Sequence, residues 1–218
     1  MLRQETVVPE ILEVIKELQS APLFKDHVLV GGTALTLQLG HRTSTDIDLF
    51  TQKTQNTVTL INYFKDKFKN VEIKVANDDF IRIYTNDIKI EMVQYENKIL
   101  ETSKFEEGIK FLGINEIAAM KLDAITKRTE PRDFIDIAYL LQEISLKKMF
   151  ELYKEIFGGI SPLYMKRTLL IKSKNIKDNE WLSGGIKMLK DDIKPKDVPV
   201  ILEKAIDEYN KKNGIGKL

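Results

Sequence analysis

A chain of 218 residues is long enough to bury a core as one compact unit or as two small subdomains. Its 43% hydrophobic and 31% charged residues, with no apolar run near the roughly 20 residues of a membrane span, disfavour both disorder and membrane insertion. Cysteine is absent, which removes disulfide scaffolds and thiolate metal sites, and Met1-Leu2-Arg3-Gln4-Glu5 lacks the apolar segment of a secretory signal, so a reducing cytoplasm is the expected setting.

Residues 6–20 carry Val8, Ile11, Leu12, Ile15 and Leu18 at helical spacing, with Pro9 tolerated in the first turn and Ser20-Ala21-Pro22 ending the helix. Next, Val28-Leu29-Val30-Gly31-Gly32-Thr33-Ala34-Leu35 reads as a strand that runs through two glycines into a helix. Such a turn leaves bare backbone N–H groups at the positive end of a helix dipole, a cradle suited to nucleotide phosphates. After His41-Arg42-Thr43-Ser44-Thr45, the run Asp46-Ile47-Asp48-Leu49-Phe50 reads as another strand. Its spacing puts the Asp46 and Asp48 carboxylates on one face, roughly 7 Å apart along the backbone, and turns Ile47 and Leu49 to the core. Two like charges side by side raise each other's pKa unless a cation lies between them. The pair therefore suits Mg²⁺, which prefers carboxylate oxygens and bridges to substrate phosphates. His27 and His41 have no metal-ligand spacing, and His41 belongs either near the phosphates or on the surface.

Residues 57–68 form an amphipathic helix through Leu60, Ile61, Phe64 and Phe68. Alternation then predicts strands at 71–76, 80–84 and 88–94, joined by turns at Asn77-Asp78-Asp79 and Asn86-Asp87. In the last of these, Ile88, Ile90 and Met92 share one face, and Lys89, Glu91 and Val93 share the other. Lys89 and Glu96 read as ordinary exposed charges. These elements make a small mixed sheet flanked by helices, an α+β core over residues 1–112 followed by a helical C-terminal subdomain over 113–218.

From residue 114 only helices are expected. Asn115 reads as an N-cap, and Ile114, Ile117, Ala118, Lys121, Leu122, Ile125 and Arg128 fall on one stripe. Lys121 and Arg128 lie two turns apart, roughly 10 Å along the axis. That spacing can embrace a triphosphate, although Arg128 also suits a helix C-terminus. Thr129-Glu130-Pro131 breaks the helix, and a new one begins with Arg132-Asp133, where an early carboxylate complements the dipole. Further helices are expected at 147–157, 164–171 and 198–209, with Trp181 as a core plug and Gly184-Gly185 as a turn. Residues 145–218 carry 16 basic and 10 acidic side chains against 18 and 23 in residues 1–144. A basic second half suits a nucleic-acid surface, and equally the solvated faces of Lys-rich helices.

The order of these motifs resembles the signature of the DNA polymerase β-like nucleotidyltransferase superfamily, in which a Gly-Gly or Gly-Ser turn precedes an Asp-x-Asp strand. Gly31-Gly32-Thr33-Ala34-Leu35, Gly40-His41-Arg42 and Ser44-Thr45-Asp46-Ile47-Asp48-Leu49-Phe50 are similar to one branch of it, the AbiEii/AbiGii toxin family of bacterial toxin–antitoxin and phage-defence systems. Gly32 departs from the serine that many superfamily members carry there, and Thr33 is the candidate replacement hydroxyl. The resemblance implies a third metal carboxylate at Glu91, which either completes the metal shell or assists the attacking hydroxyl. Downstream, Lys121, Arg128, Arg132-Asp133 and Asp136 resemble the family's C-terminal motifs. Carried over, they give Lys121 a phosphate-binding role and Asp133 a site role, with Asp136 the alternative aspartate.

The resulting expectation is a metal-dependent transfer of NMP from an NTP to a hydroxyl. Gly31, Gly32 and Thr33 hold the triphosphate, and Arg42, Lys121 and Arg128 counter its charge. Asp46, Asp48 and Glu91 hold Mg²⁺, two ions about 3.5–4 Å apart. Asp133 completes the catalytic set. The family resemblance implies an RNA acceptor, in particular the tRNA 3′ end, and an antitoxin partner, with no membrane involved. Competing readings are nucleotidylation of a protein or an antibiotic, and a non-catalytic nucleotide-binding module.

Overall fold

The computed structural model describes residues 1–215. A short 3₁₀ turn at Gln4–Thr6 leads into α1 (Pro9–Ser20), β1 (Val28–Val30), α2 (Gly31–Leu39), β2 (Asp46–Thr51), α3 (Thr57–Lys67), β3 (Val71–Ala76), β4 (Phe80–Thr85), β5 (Ile88–Gln94), β6 (Lys104–Glu106) and β7 (Ile109–Phe111). Then follow α4 (Ile114–Lys127), α5 (Pro131–Glu143), α6 (Leu146–Phe157), α7 (Pro162–Lys174) and α8 (Val198–Lys212). The chain forms two compact units, Met1–Gly113 and Ile114–Leu218. No helix among the described residues is long and apolar enough to cross a membrane.

The first unit is built on one mixed sheet of seven strands in the order β3-β4-β5-β2-β1-β7-β6. Central β2 runs antiparallel to β1 and parallel to β5. Its alternation is read directly by burial: Ile47 and Leu49 are 0% exposed, whereas Asp46 and Asp48 keep partial access to solvent. On β5 the same rule buries Ile90 and Met92 and leaves Lys89 and Glu91 on the opposite face. The β4–β5 connection is a tight turn in which Asn86 and Asp87 both take positive φ, as expected for residue types that tolerate the left-handed region.

Two local expectations need correction. The helix expected over residues 6–20 starts at Pro9, because residues 4–6 form a separate turn in which the Thr6 hydroxyl bonds to the Arg3 carbonyl at 2.8 Å. That turn is used: the Ser44 N–H donates to the Thr6 carbonyl at 2.9 Å, fixing the approach to β2. The hairpin β6–β7 had no counterpart in the expected elements. Each strand has three residues, too few to display a period, and their only local signal is Glu107-Gly108, both at positive φ, a two-residue hairpin turn.

In the second unit, α4 packs against α5, α6 and α7, and α8 packs against α5, α6 and α7. Asn115 lies inside the first turn, since α4 already begins at Ile114. At the other end, the Lys172 ammonium from α7 donates to the carbonyls of Ile125 and Arg128 at 2.7 and 3.1 Å. A cation there satisfies orphan carbonyls and complements the negative end of the dipole. Trp181 is 2% exposed, a core residue as expected.

Candidate active site

Parallel pairing of β2 with β5 sets the chemistry of one sheet face. Asp48 lies opposite Glu91 and Asp46 opposite Lys89, and antiparallel β4 adds Arg82 opposite Glu91. Two rows of charge result, Arg82-Glu91-Asp48 and, one step along the strands, Lys89-Asp46. Lys89 Nζ stands 2.9 Å from Asp46 Oδ2 and 3.8 Å from Glu91 Oε2, and Arg82 Nε donates to Glu91 Oε1 at 2.6 Å. Burial alone would lower the Lys89 pKa, but the hydrogen bond and charge of Asp46, reinforced by Glu91 and Asp48, carry it above the ordinary lysine value. This lysine is a member of the site that sequence reasoning passed over as an exposed charge.

The three expected carboxylates therefore share a face, but their side chains do not form a closed cluster. Among the described residues no three His, Cys, Asp or Glu side chains gather closely enough to hold a metal ion. The donor set itself fits a hard divalent cation, being all carboxylate oxygen on neighbouring strands. Two of the three donors are held by Lys89 and Arg82.

The glycine turn abuts this face. Gly31 opens α2 at φ 70°, a conformation that disfavours any side chain, and a Cβ at this position would collide with Asp48 Oδ2. Gly32 is equally tight: a Cβ there would lie 2.8 Å from Arg42 Nη2 and 3.5 Å from Ser44 Oγ. Thus Arg42 and Ser44 crowd the space that a serine at position 32 would fill. Gly31→Ala should cost about 1–3 kcal/mol of stability, read as a lowered urea midpoint, and should also push the Asp48 carboxylate off the turn.

Thr33 is placed differently from expectation. It is fully buried, its hydroxyl donates to the Asp46 carbonyl, and Ser44 Oγ lies 2.9 Å away. The Thr33 side chain is thus a tie between α2 and β2, which leaves its backbone N–H as its group for a phosphate cradle. His41 is fully buried as well, which excludes a surface role. His27, also buried, contacts Gln55 Oε1 at 3.2 Å through Nε2, and burial pushes its pKa down.

The second unit holds its own charged cluster at the α4–α5 junction. Lys121 Nζ lies 2.8 Å from Asp133 Oδ1 and 2.7 Å from Asp136 Oδ2. Arg128 grips Asp133 in a fork, Nε to Oδ2 at 2.7 Å and Nη2 to Oδ1 at 3.1 Å. Both aspartates are 0% exposed, whereas the Arg128 side chain is about half exposed. Burial works to raise the Asp133 pKa, but the Lys121 charge and the Arg128 bonds hold it below the ordinary carboxylate value. Lys121 and Arg128, expected to embrace a triphosphate, both bond the Asp133 carboxylate. Asp133 and Asp136 are brought together on one ammonium, so they act as a pair.

Comparison with known proteins identifies the family and the fold. The family model described as nucleotidyl transferase AbiEii toxin, type IV toxin–antitoxin system, matches residues 13–209. An uncharacterized protein of Aquifex aeolicus (strain VF5), aq_aa25, is 30% identical over 154 residues, spanning 68% of this chain and 74% of its own length. A Helicobacter pylori protein of solved structure shares the fold at a TM-score of 0.58 and 22% identity, covering 93% of this chain and 92% of its own. MenT4, a nucleotidyltransferase toxin of Mycobacterium tuberculosis H37Rv, does so at 0.55 and 12% identity, covering 90% and 80%. With nearly its whole length matched, from α1 through α8, the chain belongs to the AbiEii family of nucleotidyl transferase toxins of type IV toxin–antitoxin systems.

Proposed function

We propose that this chain transfers a nucleoside monophosphate from an NTP to an RNA hydroxyl, that of a tRNA 3′ end, and that it is a cytoplasmic toxin countered by an antitoxin partner. The observation that carries the reading is that the Asp48 carboxylate stands in the space a Cβ on Gly31 would fill. It sets the first turn of α2, where an anion is favoured, against the acidic face of β2 and β5.

In this reading the unit Met1–Gly113 is the nucleotidyltransferase core and Ile114–Leu218 the helical subdomain. Backbone N–H groups of Gly31, Gly32 and Thr33 receive phosphate oxygens, and Arg42, packed over Gly32, counters their charge. Asp46, Asp48 and Glu91 would hold Mg²⁺, which when bound lowers the pKa of the attacking hydroxyl and offsets charge on the departing pyrophosphate. Within the second unit, Lys121 and Arg128 are assigned as phosphate-binding cations and Asp133 as the group bonded to both. Catalysis by such a set is chiefly positioning and electrostatics.

RNA is favoured as acceptor by the exposed cations Lys147, Lys148, Lys154 and Arg167 on α6 and α7, set in the basic half of the chain. Incubating the purified protein with each α-labelled NTP, Mg²⁺ and either total RNA or total protein should label RNA of tRNA size, with EDTA abolishing the label. Label confined to protein, or none with any NTP, overturns the assignment.

A further inference from the structure

The charge pattern of the β2–β5 face includes a cation of its own. Lys89 has 21% side-chain exposure, the same as Asp46 and close to the 18% of Glu91, so its ammonium is packed among the carboxylates it touches. Its place follows from register: β5 presents Lys89 opposite Asp46 and, two residues on, Glu91 opposite Asp48. An exposed lysine paired with one carboxylate contributes little. Here one ammonium contacts two carboxylates from different strands and lies within electrostatic reach of the third, Asp48. The ammonium thus stands against two of the three carboxylates that a divalent ion would need as oxygen donors.

We propose that Lys89 is the resident cation of the acidic face: it neutralises Asp46 and Glu91 in the metal-free protein, and a divalent ion gains those oxygens only by displacing it. Lys89 is thereby a positioning residue that sets the metal concentration at which the site assembles. It keeps two like charges from spreading apart while the ion is absent, and it opposes the ion's entry by the strength of the contacts that must break. The proposal rests on the reading of Asp46, Asp48 and Glu91 as metal carboxylates.

Calorimetric titration of the full chain with Mn²⁺ alone, without nucleotide, tests it. Lys89→Met should bind Mn²⁺ about ten-fold more tightly than the unaltered protein and show a larger Mn²⁺-induced rise in melting temperature. Lys89→Arg, which keeps the charge, should bind as the unaltered protein does, and Lys89→Gln supplies the neutral variant if methionine impairs folding by circular dichroism. Equal or weaker Mn²⁺ binding by both neutral variants, with binding lost in Asp48→Asn, overturns the role of Lys89 and leaves the metal reading standing. Absence of Mn²⁺ binding in the unaltered protein and in the neutral variants alike overturns both.

Discussion

Asp48→Asn should lower NMP incorporation on the order of 10³-fold while leaving the urea midpoint unchanged or slightly raised. Asparagine keeps the shape that packs against Gly31, so the turn at the head of α2 is not reopened. What disappears is one of two like charges set directly opposite each other, Asp48 on β2 and Glu91 on β5. Such a pair is destabilising in a sheet, and relieving it favours the fold by a few tenths of a kcal/mol. A charge held where it costs stability marks a group kept for its chemistry. Initial rates with labelled NTP, measured beside urea denaturation of the same preparations, separate the two effects. Turnover retained within ten-fold would remove Asp48 from the reaction.

Lys121→Met should reduce stability by about 3–5 kcal/mol, the usual consequence of taking one partner from a buried ion cluster. The ammonium bonds two aspartates that are both fully buried, and Asp133 then depends on Arg128, whose side chain is half exposed. Trp181 is the single tryptophan of the chain and is buried in the second unit, so its fluorescence reports the unfolding of this unit in particular. The pH dependence has a definite sign. Because the Asp133 pKa is depressed in the folded state, its contribution is fully present above the ordinary aspartate pKa, about 4, and is lost as pH falls through the lower folded value. Melting temperature should therefore drop steeply in acid for the unaltered protein, with a shallower slope in Asp133→Asn. An unchanged midpoint in Lys121→Met would mean that the cluster is not part of what holds α4 to α5.

Much of this arrangement was legible because β-structure has a period of two. The runs Asp46-Ile47-Asp48-Leu49 and Ile88-Lys89-Ile90-Glu91 each announce which residues are inward, and burial follows them residue by residue. The partner across the sheet is not written locally. Lys89 meets Asp46 because β2 and β5 pair in parallel with a particular register, a relation between segments some forty residues apart. A lysine on a polar face therefore looked like any other. Thr33 misled for a related reason: its neighbours suggested a hydroxyl waiting for phosphate, whereas the return of the chain at Ser44 to Asp46 places an acceptor on it. At the α4–α5 junction, the pairing of Lys121 with residues twelve and fifteen positions on spans a helix break, beyond the reach of any single-helix stripe.

The Thr33 tie also binds the opening turn of α2 to the first residue of β2, while the Thr6 carbonyl anchors Ser44 between them. Whatever grips the glycine turn thus pulls directly on the backbone that carries the acidic pair. If the turn receives a phosphate and the acidic pair a divalent ion, as proposed, any coupling carried by this tie is reciprocal: each ligand changes the affinity for the other by the same factor.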